Sequence, residues 1–213
     1  MRDSVEQFLA AERSDRFCFG QILIRRTNSN AFVLCHRDDE KREDLKVCRE
    51  PEDAIEIARY DDSGNYRPLK TAPNLRHGWQ LEVGNLVQLR TALDYFYPSR
   101  LATFAAWKEN RLVATPLRQT LNRQSGMYRI AAKISDEQID NVVGNFCRSD
   151  GGCLRTILWK RDAGGTTPST KLPPKKFDPR DDQAGGSGNA IPLFCQEACN
   201  LLVNECRKIV KSE

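Results

Sequence analysis

The chain has 213 residues and a formal net charge of +4, a mild charge beside that of nucleic-acid binders, which concentrate Lys and Arg along one groove or helix. Basic and acidic residues alternate over residues 37–44, which is typical of a solvated loop. The sequence holds no run of about 18 apolar residues, and its N-terminus lacks the apolar core of a signal peptide. We therefore expect a cytoplasmic protein with no membrane and no nucleic-acid partner.

The N-terminal part of the sequence predicts a helix followed by strands. Ser4 is a candidate N-cap for a short helix. Residues 17–25 predict one strand, interrupted by Gly20, and residues 31–35 predict the strand that returns from a turn. These patterns indicate a hairpin near the start of the fold.

Three cysteines and a histidine accompany these strands. Cys18 and Cys35 lie within them, and Cys48 follows an apolar pair, so all three are interpreted as small core residues. His36 is next to the charged loop and is expected at the surface.

The middle of the chain predicts helices around one further strand. Pro51 suits the first position of a helix, and the alternation of Trp79, Leu81 and Val83 predicts a strand. A helix from Asn85 and another after Tyr97-Pro98 are expected to form an antiparallel pair against the sheet.

The last third of the chain predicts a strand, two helices and an insertion. Residues 126–134 predict the strand, and Ser135 with Gln138 forms a capping-box pattern that starts a helix. Residues 162–190 are rich in glycine and proline, which predicts a flexible insertion. Residues 193–211 predict the final helix.

The candidate metal-binding residues of this sequence are two closely spaced pairs of cysteines, here called brackets. Cys147 and Cys153 enclose five residues, and Cys195 and Cys199 enclose three. Eight cysteines in a chain expected in the reducing cytosol favour metal chemistry over disulfides, and two close pairs predict a four-coordinate sulfur site. The second bracket is expected on the first turns of the final helix, whose N-terminus favours anionic thiolates. Two buried thiol pairs in a reduced core are the alternative.

The bracket spacing bears on which metal group would bind. Structural zinc sites often use C-x2-C pairs, and neither bracket has that spacing. Wider spacing favours a 4Fe-4S cubane, since each iron takes one thiolate, and zinc stays the alternative. Basic residues close in sequence would offset the negative charge of a cluster: Arg148, Arg155, Lys160, Arg161, Arg207 and Lys208. No catalytic residue is predicted, because the two histidines, His36 and His77, lie in no triad motif.

Short motifs along the chain resemble a known family. They are residues 66–75, 78–79, 97–98 and 123–129, with Cys147, Cys153-Leu-Arg, Trp159, Cys195 and Cys199-Asn-Leu in the C-terminal part. They look like the region that follows the chelatase domain in some sirohydrochlorin cobaltochelatase-like proteins. That region is a stabilising domain followed by a four-cysteine 4Fe-4S-binding domain, and the resemblance runs from about Phe17 to the C-terminus.

The resemblance implies that Cys147, Cys153, Cys195 and Cys199 bind one 4Fe-4S cluster. We expect an α+β fold, with a mixed sheet-and-helix body over residues 1–145 and a small, mainly helical, cysteine-ligated domain over 146–213. Four thiolates fill every iron corner, which favours electron transfer or redox sensing over Lewis-acid catalysis.

The resemblance also implies an accessory role in tetrapyrrole or cobalt chelatase chemistry. The partner would then be a redox protein or a separate chelatase. Because no chelatase domain precedes the resemblance, we expect no chelatase activity from this chain alone. A zinc-stabilised interaction module on the same four cysteines, without redox activity, is the alternative function.

Overall fold

The computed structural model describes residues 4–11, 15–27, 31–148, 152–166 and 190–212. Within these ranges there are eight strands: Arg16–Phe19 (β1), Ile22–Arg26 (β2), Phe32–His36 (β3), Lys46–Cys48 (β4), Trp79–Val83 (β5), Thr156–Ile157 (β6), Ala190–Ile191 (β7) and Phe194–Cys195 (β8). The same ranges contain seven α-helices: Ser4–Ala11 (α1), Asp53–Arg59 (α2), Leu86–Phe96 (α3), Arg100–Lys108 (α4), Leu117–Asn122 (α5), Asp136–Val142 (α6) and Asn200–Lys211 (α7). This mixture confirms the predicted α+β class. None of the described helices is both long and apolar enough to cross a bilayer.

Most of the predicted flexible insertion, residues 167–189, lies outside the described residues. The described part of the chain resumes at β7. The parts of the insertion that are described are residues 162–166 and Ala190.

Six strands form one sheet in the order β4-β5-β3-β2-β1-β7. The four central strands are antiparallel, whereas β4 and β7 join the two edges in parallel. On β5, Trp79, Leu81 and Val83 are buried and the residues between them are half-buried, as expected of a strand with one face on a core. Helix α3 packs onto this face, and Phe96 stacks on Trp79 with 5.0 Å between ring centroids.

The prediction of a single strand over residues 17–25 is wrong, because the chain reverses at Gly20. β1 and β2 pair antiparallel with Phe19 opposite Ile22, so Gly20 and Gln21 form a tight turn. Gly20 has φ of +60°, a backbone angle that glycine adopts without steric cost. The Tyr97 ring closes over the turn, and its hydroxyl accepts a hydrogen bond from Gln21 N at 3.0 Å.

Gly20→Ala is expected to destabilise the protein strongly. A Cβ at this position would lie 2.8 Å from the Tyr97 ring, and the left-handed backbone adds about 1–2 kcal/mol. We expect the free energy of unfolding to fall by about 3 kcal/mol in urea titrations. Gly64→Ala is the matched control, because Gly64 has φ of +78° and its new methyl group would meet no atom within 4 Å. An equal loss in both variants would contradict the role of Tyr97.

His36 is buried, so its predicted surface position is wrong. It ends β3 and its side chain is 0% exposed. Burial, together with the neighbouring His77, lowers the pKa of His36 to about 4. The prediction depended on the charged loop that follows in sequence, whereas the position of β3 inside the sheet decides the burial.

A second hydrophobic cluster brings the C-terminal helices together. Helices α5, α6 and α7 contribute to it, and so does Trp159. Residues 126–134, predicted as a strand, instead form 3-10 turns over Gly126–Lys133. The capping box at Ser135 is present as predicted, with reciprocal bonds to Gln138. The cluster begins at Leu117, so α5 and α6 pack with the cysteine-bearing segment, although both precede the domain boundary expected at residue 145.

The final helix begins later than predicted. Cys195 lies in β8, which pairs in parallel with β6, and this pairing holds the segment extended. Helix α7 starts at Asn200 with Cys199 as its N-cap. The second bracket therefore joins a strand to a helix N-terminus, and Cys195 is not on a helical turn.

Candidate metal centre

The four predicted cysteines come from four different kinds of local structure. Cys147 ends a π-helical turn, Val143–Cys147, that extends α6, and such turns are frequent at functional sites. Cys153 lies in the loop before β6, Cys195 in β8 and Cys199 at the start of α7. All four are free thiols; Cys153 and Cys195 are buried, and the other two are half-buried.

Backbone hydrogen bonds fix both brackets. Cys153 N donates to Cys147 O at 3.2 Å, which closes the first bracket into a loop. Leu158 N donates to Cys195 O at 2.9 Å, which ties β8 to the strand that follows the first bracket. The parallel pair of β6 and β8 thus brings together two brackets that are far apart in sequence. At Cys199, the α7 N-terminus adds a partial positive charge, which favours a thiolate.

Polar groups surround the two buried sulfurs. Arg155 Nε donates to Cys153 Sγ at 3.2 Å, and Thr71 Oγ1 lies 3.0 Å from the same sulfur. Trp159 Nε1 donates to Cys195 Sγ at 3.3 Å. Hydrogen bonds donated to sulfur stabilise its anionic form, so the Arg155 and Trp159 contacts suit thiolate ligands.

The pKa shifts indicate one shared electrostatic environment. Burial raises the pKa of Cys147, and Cys153, Cys195 and Cys199 raise it further. Burial also raises the pKa of Cys195, although Arg155 and the Trp159 N–H oppose the rise. Thiols in such surroundings lose their protons when a positively charged metal centre binds among them, so this donor set fits a metal group.

Burial would lower the pKa of Arg155, yet its pKa is raised, because it faces Cys153, Cys195 and Cys199. This arginine is therefore a fixed positive charge among the bracket thiols. Several basic residues were expected to offset the charge of a cluster. Among them, Arg155 is the one that donates a hydrogen bond to a cysteine sulfur in the described structure.

The spacing of the sulfurs is wider than a single zinc ion requires. At a Zn–S distance of about 2.3 Å, tetrahedral thiolates lie roughly 3.8 Å apart. In the described part of the chain, none of the four cysteine sulfurs belongs to a group of three potential ligand atoms that all lie within 4.8 Å of one another. A cluster that offers each thiolate a different iron suits this wider set.

A second arginine reaches the site from the N-terminal half. Arg100 Nη1, on α4, donates to Phe194 O at 2.6 Å. Burial and the nearby Arg155 lower the pKa of Arg100, and Cys195, Cys153 and Cys199 oppose this shift. No sequence signal pointed to Arg100 or to Thr71, because both lie far from the brackets along the chain.

Three of the other predicted cations have partners away from the cysteines. Arg161 pairs with Asp140 at 2.5 Å, Lys208 pairs with Glu205 at 2.7 Å, and the Arg207 guanidinium lies over the Tyr128 ring. Arg148 Nε is buried without a hydrogen-bond partner in the described structure.

Cys206 lies within α7, seven residues after Cys199. It is 0% exposed and packs in the second hydrophobic cluster with Leu202 and Val203. Burial raises its pKa to about 11. Cys206 therefore has the properties of a structural thiol.

Two family models match this chain. Residues 4–111 match the model described as the DR2241 stabilising domain, and residues 109–208 match the model described as a 4Fe-4S iron–sulfur cluster binding domain. The second match confirms the predicted cofactor. No curated protein sequence matches the chain.

A solved structure resembles the chain over nearly its whole length. It is the crystal structure of DR2241 from Deinococcus radiodurans, described as a multi-domain protein with structural similarity to chelatases and two additional novel domains. The identity is 28% and the TM-score 0.75, over 99% of this chain and 41% of DR2241. The chain thus spans less than half the length of that protein.

Proposed function

The chain belongs to the family of the DR2241 stabilising domain, and from this premise we propose that Cys147, Cys153, Cys195 and Cys199 hold its 4Fe-4S cluster for one-electron transfer. The observation that carries the proposal is the convergence of the two brackets around Arg155, with sulfurs spaced more widely than zinc requires. A bound cluster supplies reversible one-electron chemistry. With a thiolate on every iron, substrate has no open position to occupy.

The chain's own residues set how readily an electron is accepted. Arg155, the Trp159 N–H and the α7 N-terminus each place positive charge toward a sulfur. Positive groups stabilise the more negative, reduced state, so together they raise the reduction potential. The apolar residues of the second cluster keep water from the buried side of the site.

A face for electron exchange lies beside Cys195. Phe194 precedes this cysteine, and its ring lies 4.9 Å from that of Trp107, which is 44% exposed. Because successive side chains of a strand point to opposite faces, these rings lead from the backbone beside Cys195 to the surface. Lys108 Nζ lies 5.8 Å from the Trp107 ring, and this positive charge favours an acidic redox partner.

The chelatase connection is a proposal drawn from the neighbour. DR2241 is described as structurally similar to chelatases, and the present chain matches less than half of it. We propose that this chain supplies redox support to a chelatase-like protein and does not insert metal itself. Basic and acidic residues are mixed in this chain, and this mixture does not support a nucleic-acid partner.

Protein purified without oxygen is expected to be brown and to contain about four iron and four sulfide per chain, the content of one cubane. Iron and acid-labile sulfide assays, with visible absorption before and after dithionite, test this directly. Loss of colour on reduction, regained on reoxidation, would support electron transfer. Stoichiometric zinc without sulfide would support the zinc-stabilised module instead.

A further inference from the structure

A second group of metal-binding side chains lies in the N-terminal half. The chain has two histidines, and the fold brings them together with 3.8 Å between ring centroids. Asp39 completes the group, and one potential ligand atom from each of His36, Asp39 and His77 lies within 4.8 Å of the others. This group is made by the fold, since His77 is far from the other two in sequence.

Sheet pairing accounts for the arrangement. His36 ends β3, and Asp39 ends the 3-10 turn, Arg37–Asp39, that follows directly. His77 lies two residues before β5, which pairs with β3. Gly78 N donates to Asp39 Oδ2 at 2.7 Å, and this bond fixes the carboxylate against the start of β5.

One pair of donors has the separation that a first-row metal ion requires. Asp39 Oδ1 lies 3.1 Å from His77 Nδ1, close to the separation of roughly 3.0–3.4 Å between two ligands each about 2.1 Å from one ion. Both His36 ring nitrogens have partners, Asp38 N at 3.2 Å from Nδ1 and Gln21 Nε2 at 3.1 Å from Nε2, so an ion that binds His36 has to replace one of these two contacts. Two imidazoles and one carboxylate form the facial set that leaves further positions open on the metal.

An ion can reach this group from solvent. The His77 side chain is 36% exposed and borders a cavity of about 430 Å³ that Cys48, Asp61 and Asp62 also line. Asp62 Oδ2 lies 4.0 Å from His77 Nε2. Lys46 and Arg76 line the same cavity and balance the two aspartates, so the entrance admits an ion without attracting it by net charge.

A positive charge beside Asp39 opposes binding. Arg42 Nη1 lies 3.4 Å from Asp39 Oδ1. The same guanidinium bonds to Asp44 at 2.9 and 2.8 Å and is 43% exposed. It can therefore keep its bonds to Asp44 while it moves away from Asp39.

We propose that His36, Asp39 and His77 bind one divalent first-row transition-metal ion, with water in the remaining positions. The set of two imidazoles and a carboxylate suits zinc and iron(II), and other ions of this series such as nickel compete for it. The site contains none of the four cysteines, so this proposal can be tested separately from the proposed cluster.

The test is a zinc titration of anaerobically purified whole chain labelled with 15N at histidine. We expect one equivalent of zinc to shift the imidazole signals of both histidines together, while iron and sulfide content stays constant. Zinc taken up by the cysteine thiols would leave the imidazole signals in place and would overturn the proposal. Absence of zinc binding below millimolar concentration would overturn it too.

Three variants separate a metal site from a hydrogen-bond network. His77→Ala and Asp39→Asn should each weaken zinc binding by about 100-fold or more, since loss of even a supporting group lowers metal affinity by about 10–100-fold. Arg42→Ala should strengthen binding, because it removes the opposing charge; a network without metal predicts no such gain. Glu205→Gln on α7 removes one distant negative charge and should leave the affinity unchanged. Unaltered affinity in His77→Ala, which is partly exposed and expected to fold, would refute the assignment.

Discussion

Cys199→Ala is expected to lose the cluster or retain a fragile three-iron form, whereas Cys206→Ala keeps a full cluster. Cys199 is the N-cap of α7 and shares the electrostatic environment of the other three bracket cysteines. Cys206 is seven residues further along the same helix, about 10 Å along its axis, and is buried among apolar side chains. The helix would have to unwind for Cys206 to take the place of Cys199.

Iron and sulfide content, together with electron paramagnetic resonance spectra, distinguishes the two variants. Cys206→Ala removes a buried sulfur and is expected to lower the free energy of unfolding by about 1–2 kcal/mol, without a change in iron content. Cys199→Ser, which keeps the size of the side chain, controls for packing. Equal cluster loss in Cys199→Ala and a folded Cys206→Ala would show that the ligand assignment is wrong.

Arg155→Met is expected to lower the reduction potential of the cluster by about 100 mV. A unit charge roughly 7 Å from the added electron contributes about 2 kcal/mol at an effective dielectric constant of about 20, which is about 100 mV for one electron. The reduction potential is expected to fall, because loss of a cation disfavours the more negative, reduced state. The variant also loses the hydrogen bond to Cys153, so a lower iron content after purification is expected as well.

Redox titrations of matched variants isolate the effect of Arg155. Arg155→Lys keeps the charge but not the planar guanidinium, so a smaller shift is expected. Arg111→Met removes an arginine that is 60% exposed and paired with Glu109, and it should leave the potential unchanged. A potential for Arg155→Met equal to that of the parent protein would exclude Arg155 as a determinant of the potential.

Local patterns predicted the parts of the fold that short segments determine. The capping box at Ser135 and the N-cap at Asn85 are present, because each depends on residues three apart. The alternation along β5 also identified its buried face. The number of residues between the two cysteines of each bracket favoured an iron–sulfur cluster over zinc, and this number can be read directly from the sequence.

Features that depend on distant contacts could not be read from the sequence. Residues 126–134 have strand-like composition, but packing against α5 and α7 folds them into 3-10 turns. Cys195 preceded a helical pattern, yet pairing with β6 placed it in a strand. His36 is buried because β3 lies inside the sheet, between β5 and β2. In each case a partner that is remote in sequence decides the local conformation.

We expect the cluster to affect self-association of the protein through the edge strand β7. This strand is two residues long, covers the outer edge of β1 and is separated from Cys195 by only three residues. While the cysteine is anchored at the metal centre, β7 is held close to that edge. Release of the anchor would free so short a strand and uncover unpaired backbone groups on β1, a template on which another chain can add. We therefore expect protein without its cluster to aggregate more readily than protein that holds it.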